Sequence, residues 1–339
     1  MLLADMGAEV LKVSPPVERE AKMPVPEAED PIWRGRSRLA LDLKSPEGRQ
    51  RLLEILGKAD VLIEGFRPGV LERLDLSPAT LLAANPKLVI GRMTGWGQDG
   101  PLAQAPGHDP NYIALTGALH SIGPAGGAPV LPLNLVGDFG GGALYLAMGL
   151  LAAVISARQT GEGQVVDAAM VDGAASLMGM VYTLKNHGMW SDERGTNIMD
   201  GGAPFGGTYE CADGKHVAVC ALEPPFYAAL LKVLGLEAET LPRQHDRAGW
   251  RALRSRFAAR FRTRTRDEWA AAPDAPLACI TPVLSLTEAP AHPHNAARGT
   301  FVNDPPIPAP APRFSATPSR LAPMADGSAK GLLRQWGVE

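Results

Sequence analysis

The densest cluster of reactive side chains in the sequence is Gly107-His108-Asp109-Pro110-Asn111-Tyr112, which puts an imidazole, a carboxylate, an amide and a phenol within one turn. Histidine changes charge near neutral pH and is the commonest general acid–base group. Alone, a His-Asp pair in a loop is more often an exposed pair or a helix cap than a catalytic unit. Further along, Asp138 stands in Gly137-Asp138-Phe139-Gly140-Gly141-Gly142, at the start of an apolar run. It reads as a helix N-cap and as a reactive carboxylate, and both can hold. Flanking glycines let backbone and substrate come close, and a helix N-terminus offers amide donors and a positive dipole to an oxyanion. That combination suits stabilisation of an enolate.

Glu223, between an apolar strand and the helix-starting Pro224-Pro225, is a third candidate, with capping the slightly favoured local reading. The remaining histidines, 120, 187, 216, 245, 292 and 294, have no comparable setting, and no HExxH or paired-Cys spacing points to a metal. The glycines of Thr94-Gly95-Trp96-Gly97-Gln98-Asp99-Gly100-Pro101 precede a proline-rich loop, not a helix, which disfavours a dinucleotide fingerprint. Arg34, Arg36, Arg38, Lys44, Arg67 and Arg73 scatter positive charge near strand ends, where phosphates can be met singly.

Those residues need a scaffold. MLLADMGAEVLKVSPP reads as the end of an amphipathic helix, a turn at Gly7 and a strand Glu9–Val13 halted by Pro15 and Pro16. A doubly wound domain ordinarily places a strand and a glycine-rich turn ahead of such a helix, so the first strand is expected to be lacking. Residues 16–31, rich in proline and acid, read as an exposed loop. A strand in RSRLALDL, a helix capped by Ser45-Pro46 and running through Leu56, a strand in ADVLIEGF, a helix near Ala79–Ala84 and a strand in LVIGRMTGW follow. The alternation predicts parallel βαβ units.

Beyond Trp96 a long irregular region is expected, and loops of that length usually carry function. A helix of about 18 residues then runs from NLVGDFGGG to TGEGQ and reads as a buried core helix; its most apolar run, Ala143–Ile155, is too short to span a bilayer. A short strand and a Met-rich helix come next. GGTYECADGKHVAVCAL predicts a hairpin turning at Asp213-Gly214, with helices from Pro224 to about Pro282. A proline-rich return and a terminal helix close the chain. The expected fold is α/β, with a large Rossmann-like domain over 1–187, completed by 300–339, and a smaller α+β domain over 188–299.

With 45% hydrophobic and 20% charged residues, the chain of 339 residues is neither disordered nor fibrous. A net charge of −3 gives no basic field for nucleic acid. Cys211, Cys220 and Cys279 are widely spaced, which fits a reducing compartment, and residues 1–13 lack the pattern of a secretory signal, so a cytoplasmic location is expected.

In order along the chain, ADMGAEVLKV, RSRLALDLKSPEG, ADVLIEGFRPGVLERL, MTGWGQDGP, GHDPNY, NLVGDFGGG, TGEGQVVDAAMVDG, GGAPF, YECADGKHVAV and EPPFY resemble the family III CoA-transferases, and within them the α-methylacyl-CoA racemase branch. The resemblance implies two chains threaded into an interlocked homodimer, with the active site between domains of different subunits. It implies an acyl-CoA substrate, no separate cofactor because CoA is part of that substrate, and neither nucleic acid nor membrane as partner. His108 and Asp138 then correspond to two proton-transfer bases, Glu223 to the carboxylate orienting the histidine, and Asp109 to its supporting neighbour. Leu41, Asp42, Leu43 and Lys44, with Gly65, Phe66, Arg67 and Arg73, fall where the family holds CoA. So do Gly107, Asn111 and Tyr112.

The implied reaction is epimerisation of a 2-methylacyl-CoA thioester. Its α-proton is far less acidic than any side chain, so a base must be joined by fixed donors for the enolate oxygen. Inversion needs one base on each face of the carbon. Met170, Met178, Met180, Met189 and Met199 offer an adaptable surface for the acyl tail, although helical methionines are more often ordinary core. Two other readings stand beside this one. In the transferase branch the aspartate at position 138 is a nucleophile. A non-catalytic acyl-CoA-binding protein is the other, because the first strand is lacking and Pro15 stands where the family presents an arginine to CoA.

Overall fold

A computed structural model describes residues 1–16, 26, 29–324 and 329–338. Most of the acidic, proline-rich stretch expected as an exposed loop lies outside the described residues. By internal contacts the chain forms two compact units, one of residues 1–108, 137–173 and 290–339, the other of 109–136 and 174–289.

The first unit carries five parallel-paired strands in two groups. β1 (Val10–Ser14) pairs with β2 (Arg36–Ala40), while β3 (Val61–Glu64), β4 (Val89–Thr94) and β5 (Gln164–Ala169) make a separate sheet in that order. Helix Pro46–Leu56 starts where Ser45 Oγ accepts the Gly48 N–H at 3.0 Å and Pro46 fixes the first turn. Helix Pro78–Ala84 is capped in the same way by Ser77. The βαβ reading thus holds, with strand limits moved by a residue or two.

β4 is the centre of this unit. Leu88, Val89 and Ile90 are fully buried, each contributing roughly 2 kcal/mol by the area removed from water. Ile90 faces a cluster with Leu52, Leu56, Leu76 and Leu81, and Val89 faces one with Leu146, Leu150 and Ala153. Gly91 lets the second layer close, since a Cβ there would stand 2.8 Å from a Leu150 methyl.

Four expectations are corrected here. The region after Trp96 is not irregular throughout, because Asp109–Ala114 and Ala118–Ser121 are short helices. The apolar helix is longer than expected: a π-helical segment Leu135–Ala143 runs directly into helix Leu144–Thr160, giving 26 residues that are long and apolar enough to cross a membrane. Nor is it a buried core helix. Leu146, Leu150, Ala153 and Ala157 pack in the core, whereas Met148 and Ile155 are 62% and 59% exposed. Glycine breaks no helix here, so the DFGGG stretch, read as the approach to a helix, is itself helical. The Met-rich segment is two helices, Met170–Leu177 and Gly179–Asn186, not one.

Among the described residues β1 and β3 each have a hydrogen-bonded neighbour on one side only. A cleft of about 860 Å³ is lined by both strands, including Val10, Val13, Val61 and Ile63, and by Leu150 and Val154 of the long helix.

In the second unit β6 (Gly206–Glu210), β7 (His216–Cys220) and β8 (Ile280–Pro282) form an antiparallel sheet, and the predicted hairpin turns at Asp213-Gly214 with Gly214 at φ +73°. Its core packs Phe205, Tyr209, Phe257, Phe261 and Trp269, and Tyr209 stacks on Phe261 at 4.8 Å. All three cysteines are free thiols.

Candidate active site

In an open parallel sheet, ligands lie beyond the carboxyl ends of the strands, where loops meet. Three candidate segments occupy such places in the first unit. After β2, Asp42 Oδ1 accepts the Lys44 N–H at 3.0 Å, and Ser45 Oγ donates to the Asp42 carbonyl at 2.9 Å. Leu41 and Leu43 pack into the core beneath, and Lys44 is exposed. After β3, the Phe66 N–H donates to Glu64 Oε2 at 2.7 Å, and the chain winds through Gly69 at φ +82° into helix Val70–Arg73. Gly65, Phe66, Arg67 and Arg73 are exposed along this loop.

Not all of the scattered cations are available to a phosphate. Arg34 is buried and holds Asp5 through two nitrogens, at 2.8 and 2.5 Å, so it is a structural ion pair. Arg36 lies 4.4 Å from the Trp33 ring centre, with Lys12 also over that ring at 4.6 Å. Lys44, Arg67 and Arg73 remain as exposed cations at the strand ends.

After β4 comes the glycine-rich loop. Thr94 Oγ1 accepts the Gly97 N–H, Gln98 N–H donates to Asp167 on β5, and Gln104 Nε2 donates to the Pro68 carbonyl at 3.1 Å. No helix follows its glycines directly, as expected. The loop ends at Gly107 and His108, and His108 is exposed. Asp109 opens helix Asp109–Ala114 and is buried, as is Tyr112, while Asn111 faces outward. Asp109, Asn111 and Tyr112 belong to the second unit, His108 and Gly107 to the first.

Asp138 also belongs to the first unit. It is half-buried inside the π-helical segment, so the N-cap reading is corrected: the residue lies within the first turn of the helix and does not precede it. π-helical turns are rare and collect at functional sites. The surrounding glycines have a packing role of their own. A Cβ on Gly142 would stand 2.5 Å from Met93 Cε, and one on Gly173 only 1.8 Å from the Gly141 carbonyl oxygen.

Glu223 occupies the N-cap position of helix Pro224–Val233, but its side chain makes no capping hydrogen bond and is exposed. The favoured capping reading therefore fails for the side chain. Glu223 lies in the second unit. Met180, Met189 and Met199 are exposed, which separates them from ordinary core; Met170 and Met178 are half-buried. Among the described residues no group of three His, Cys, Asp or Glu side chains is arranged to hold a metal.

Sequence reasoning overlooked one group. Arg92 on β4 lies opposite Glu64 on β3, donating to it at 2.7 Å and to Glu72 at 2.9 Å. The Arg92 hydrogen bond holds the Glu72 carboxyl below its usual range. An arginine inside the apolar strand VIGRMT was the available signal, because a buried cation requires partners.

Comparison with known proteins identifies the family and the fold. A family model for CoA-transferase family III matches residues 1–326. Alpha-methylacyl-CoA racemase of Mus musculus is 44% identical over 99% of this chain and 88% of its own length. That of Homo sapiens is 42% identical over 94% and 82%. A CAIB/BAIF family protein from Brucella suis, 23% identical, superposes with a TM-score of 0.79 over 100% of this chain and 94% of its own, which shows a common fold. By the reach of these matches along the whole chain, the protein belongs to CoA-transferase family III.

Proposed function

We propose that this protein is an isomerase that epimerises 2-methylacyl-CoA thioesters by 1,1-proton transfer. The observation that carries the proposal is identity of 44% and 42% to alpha-methylacyl-CoA racemases over nearly the entire chain. It is supported by His108 and Asp138 belonging to one compact unit, one at the end of the loop after β4 and the other in a π-helical first turn. In this reading one of the two removes the α-proton, the C–H electron pair moves onto the thioester oxygen, and the other delivers a proton to the opposite face of the carbon. Amide N–H groups stabilise the enolate oxygen. Glu223, lent by a second copy of the chain, orients the imidazole, and Asp109, the first residue of its helix, supports it. The CoA phosphates meet Lys44, Arg67 and Arg73, with Leu41–Lys44, Gly65–Phe66 and the 107–112 turn framing the remainder.

The active species is a homodimer. Its support is the apolar exposed face of helix Leu144–Thr160, which carries Leu144, Met148, Leu151 and Ile155, a patch that needs a cover in water. The test is α-hydrogen exchange of a 2-methylacyl-CoA in deuterated water, without any acyl acceptor. Exchange by the native protein and its loss in both His108→Ala and Asp138→Ala are expected. Exchange surviving in both variants would sink the assignment, and CoA movement that depends on an acceptor acid would make Asp138 the nucleophile of a transferase instead.

A further inference from the structure

We infer that Cys220 and Cys279 form an oxidation site in the second unit, closing to an intrachain disulfide by exchange with a low-molecular-weight disulfide and thereby displacing the segment that carries Glu223. The pairing stands on the sheet alone; its effect on activity rests on the role proposed above for Glu223.

The two residues face each other at the end of a ladder. β7 and β8 pair Val217 with Pro282, Ala218 with Thr281 and Val219 with Ile280, and the Cys220 N–H donates to the Cys279 carbonyl at 3.2 Å, which extends the register by one pair. The Val283 N–H donates to the His216 carbonyl at the other end. Hydrogen-bonded pairs alternate along an antiparallel ladder, so Cys220 and Cys279 make one of them. Such residues have Cα atoms about 5.5 Å apart, inside the roughly 4.4–6.8 Å that a disulfide spans. Cys279 itself has φ +53°, a left-handed conformation that residues with a Cβ rarely adopt and that collects at functional positions.

Their settings give the two thiols different parts. Cys220 is exposed and meets a reagent from solution, whereas Cys279 is half-buried. Burial, and then the neighbouring Cys220 and Glu223, push the Cys279 thiol above its usual range, which suits it to act second. The Cys220 thiolate attacks one sulfur of the reagent, whose S–S bond breaks, and the departing thiolate takes up a proton. Cys279 then gives up its proton, attacks the Cys220 sulfur of the mixed disulfide and expels the second thiol. The protein is oxidised by two electrons and the reagent is reduced to two thiols. Cys211, 2% exposed in the core with its thiol 3.9 Å from the Tyr209 carbonyl, is shielded from this exchange.

Closure reaches Glu223 through a short, well-held segment. The Ala221 N–H donates to the Phe205 carbonyl, Gln244 Nε2 donates to the Ala221 and Leu222 carbonyls at 3.2 and 2.7 Å, and Glu223 then opens helix Pro224–Val233. Opposed Cβ atoms in a hydrogen-bonded pair lie about 5.5 Å apart and a disulfide holds them at about 3.8 Å, so closure draws the end of β7 inward by roughly 1 Å or more. A misplacement of that size at a reacting geometry costs on the order of 100-fold in rate.

The experiment incubates the purified full chain with glutathione disulfide, alkylates the remaining thiols and digests with trypsin, which leaves the three cysteines in separate peptides. Peptide 216–232 linked to peptide 267–298 is expected, with Cys211 alkylated, and a reductant is expected to remove the link. Cys279→Ser is expected to stop at a mixed disulfide on Cys220, and Cys220→Ser to form no link. In the linked protein the Ala221 amide is expected to exchange on the order of 10-fold faster, which reads the displacement without catalysis. Its α-hydrogen exchange rate on a 2-methylacyl-CoA is expected to fall about 10-fold or more and to return with reductant, while Cys220→Ser keeps its rate in the oxidant. Absence of the linked peptide, or a link made equally to Cys211, would overturn the pair. An unchanged Ala221 amide in the fully linked protein would overturn the displacement of Glu223. No α-hydrogen exchange by the reduced native protein would instead count against the proposed epimerase, with the peptide and amide results still deciding this inference.

Discussion

Arg92 of β4 and Glu64 of β3 face each other across the ladder at 2.7 Å, and the second oxygen of Glu64 accepts the Phe66 N–H, also at 2.7 Å. The ion pair at the strand end is thus coupled to the first residues of the exposed Gly65–Arg67 loop.

That coupling predicts two distinct outcomes. Arg92→Met leaves Glu64 buried without its cation and is expected to cost about 3–5 kcal/mol of stability, read as a lower denaturant midpoint. Glu64→Gln keeps an acceptor oxygen but no charge. It is expected to raise KM for the acyl-CoA while leaving kcat for α-hydrogen exchange close to native, because the loop carrying Arg67 is loosened and the proton-transfer residues are untouched. A fall in kcat with unchanged KM would show that the pair does not act through this loop.

Much of this scaffold was legible in the residues. Ser45-Pro46 and the VLIE and VIGRMT runs announced helices and parallel strands because caps and continuous apolar runs are local signals. His108, Asp138 and Glu223 could be singled out, but their local sequence pointed to caps or exposed loop groups, and only the ordered run of family motifs gave them roles. The π-helical segment was hidden because the glycines of DFGGG carry low helix propensity; the cost is offset by contacts distant in sequence, Gly142 under Met93 and Gly141 against Gly173. The exposed face of the following helix was hidden for a different reason, since an apolar run reads identically whether a core or another chain covers it.

The Gly141–Gly173 contact supplies the next prediction. A methyl group at position 173 would meet the Gly141 carbonyl oxygen at 1.8 Å and its carbonyl carbon at 2.6 Å, and backbone cannot swing aside as a side chain can. Gly173→Ala is expected to destabilise the chain by about 3 kcal/mol or more, at the upper end of overpacking, and to displace the Asp138 turn. Gly179→Ala, where a Cβ meets nothing within 4 Å, is the control and is expected to be neutral or stabilising. Equal stability of the two variants would refute the packing role.

Acid sensitivity should concentrate in the second unit. Arg266 is buried and grips Glu288 with two nitrogens, at 2.9 and 3.0 Å, and the Ser285 N–H and Lys215 Nζ add further donors. Together, Arg266 first, they hold the Glu288 carboxyl far below its usual range. With the folded value lower than the unfolded one, near 4.3, the contribution is complete above that pH and is lost as pH falls toward the folded value. Urea midpoints followed from pH 7 downward are expected to fall below about pH 4 in the native protein and to fall less in Glu288→Gln. Identical pH profiles for the two would remove this pair from the acid response.

The long helix gives the last prediction. Its inner face, Leu146, Leu150, Ala153 and Ala157, packs in the core with Val89 and Ala168, so this side is already held by the sheet. Met148 and Ile155 lie on the other side, seven positions apart and therefore on one face of the helix. If a second copy covers that face, Met148→Asp with Ile155→Asp buries two carboxylates at the interface and is expected to convert the dimer to monomer in sedimentation, with native-like helix content and lost exchange activity. If lipid covers it, the native protein floats with vesicles, and the double variant does not. A double variant that keeps the native sedimentation coefficient and the native exchange rate would show that neither partner uses this face.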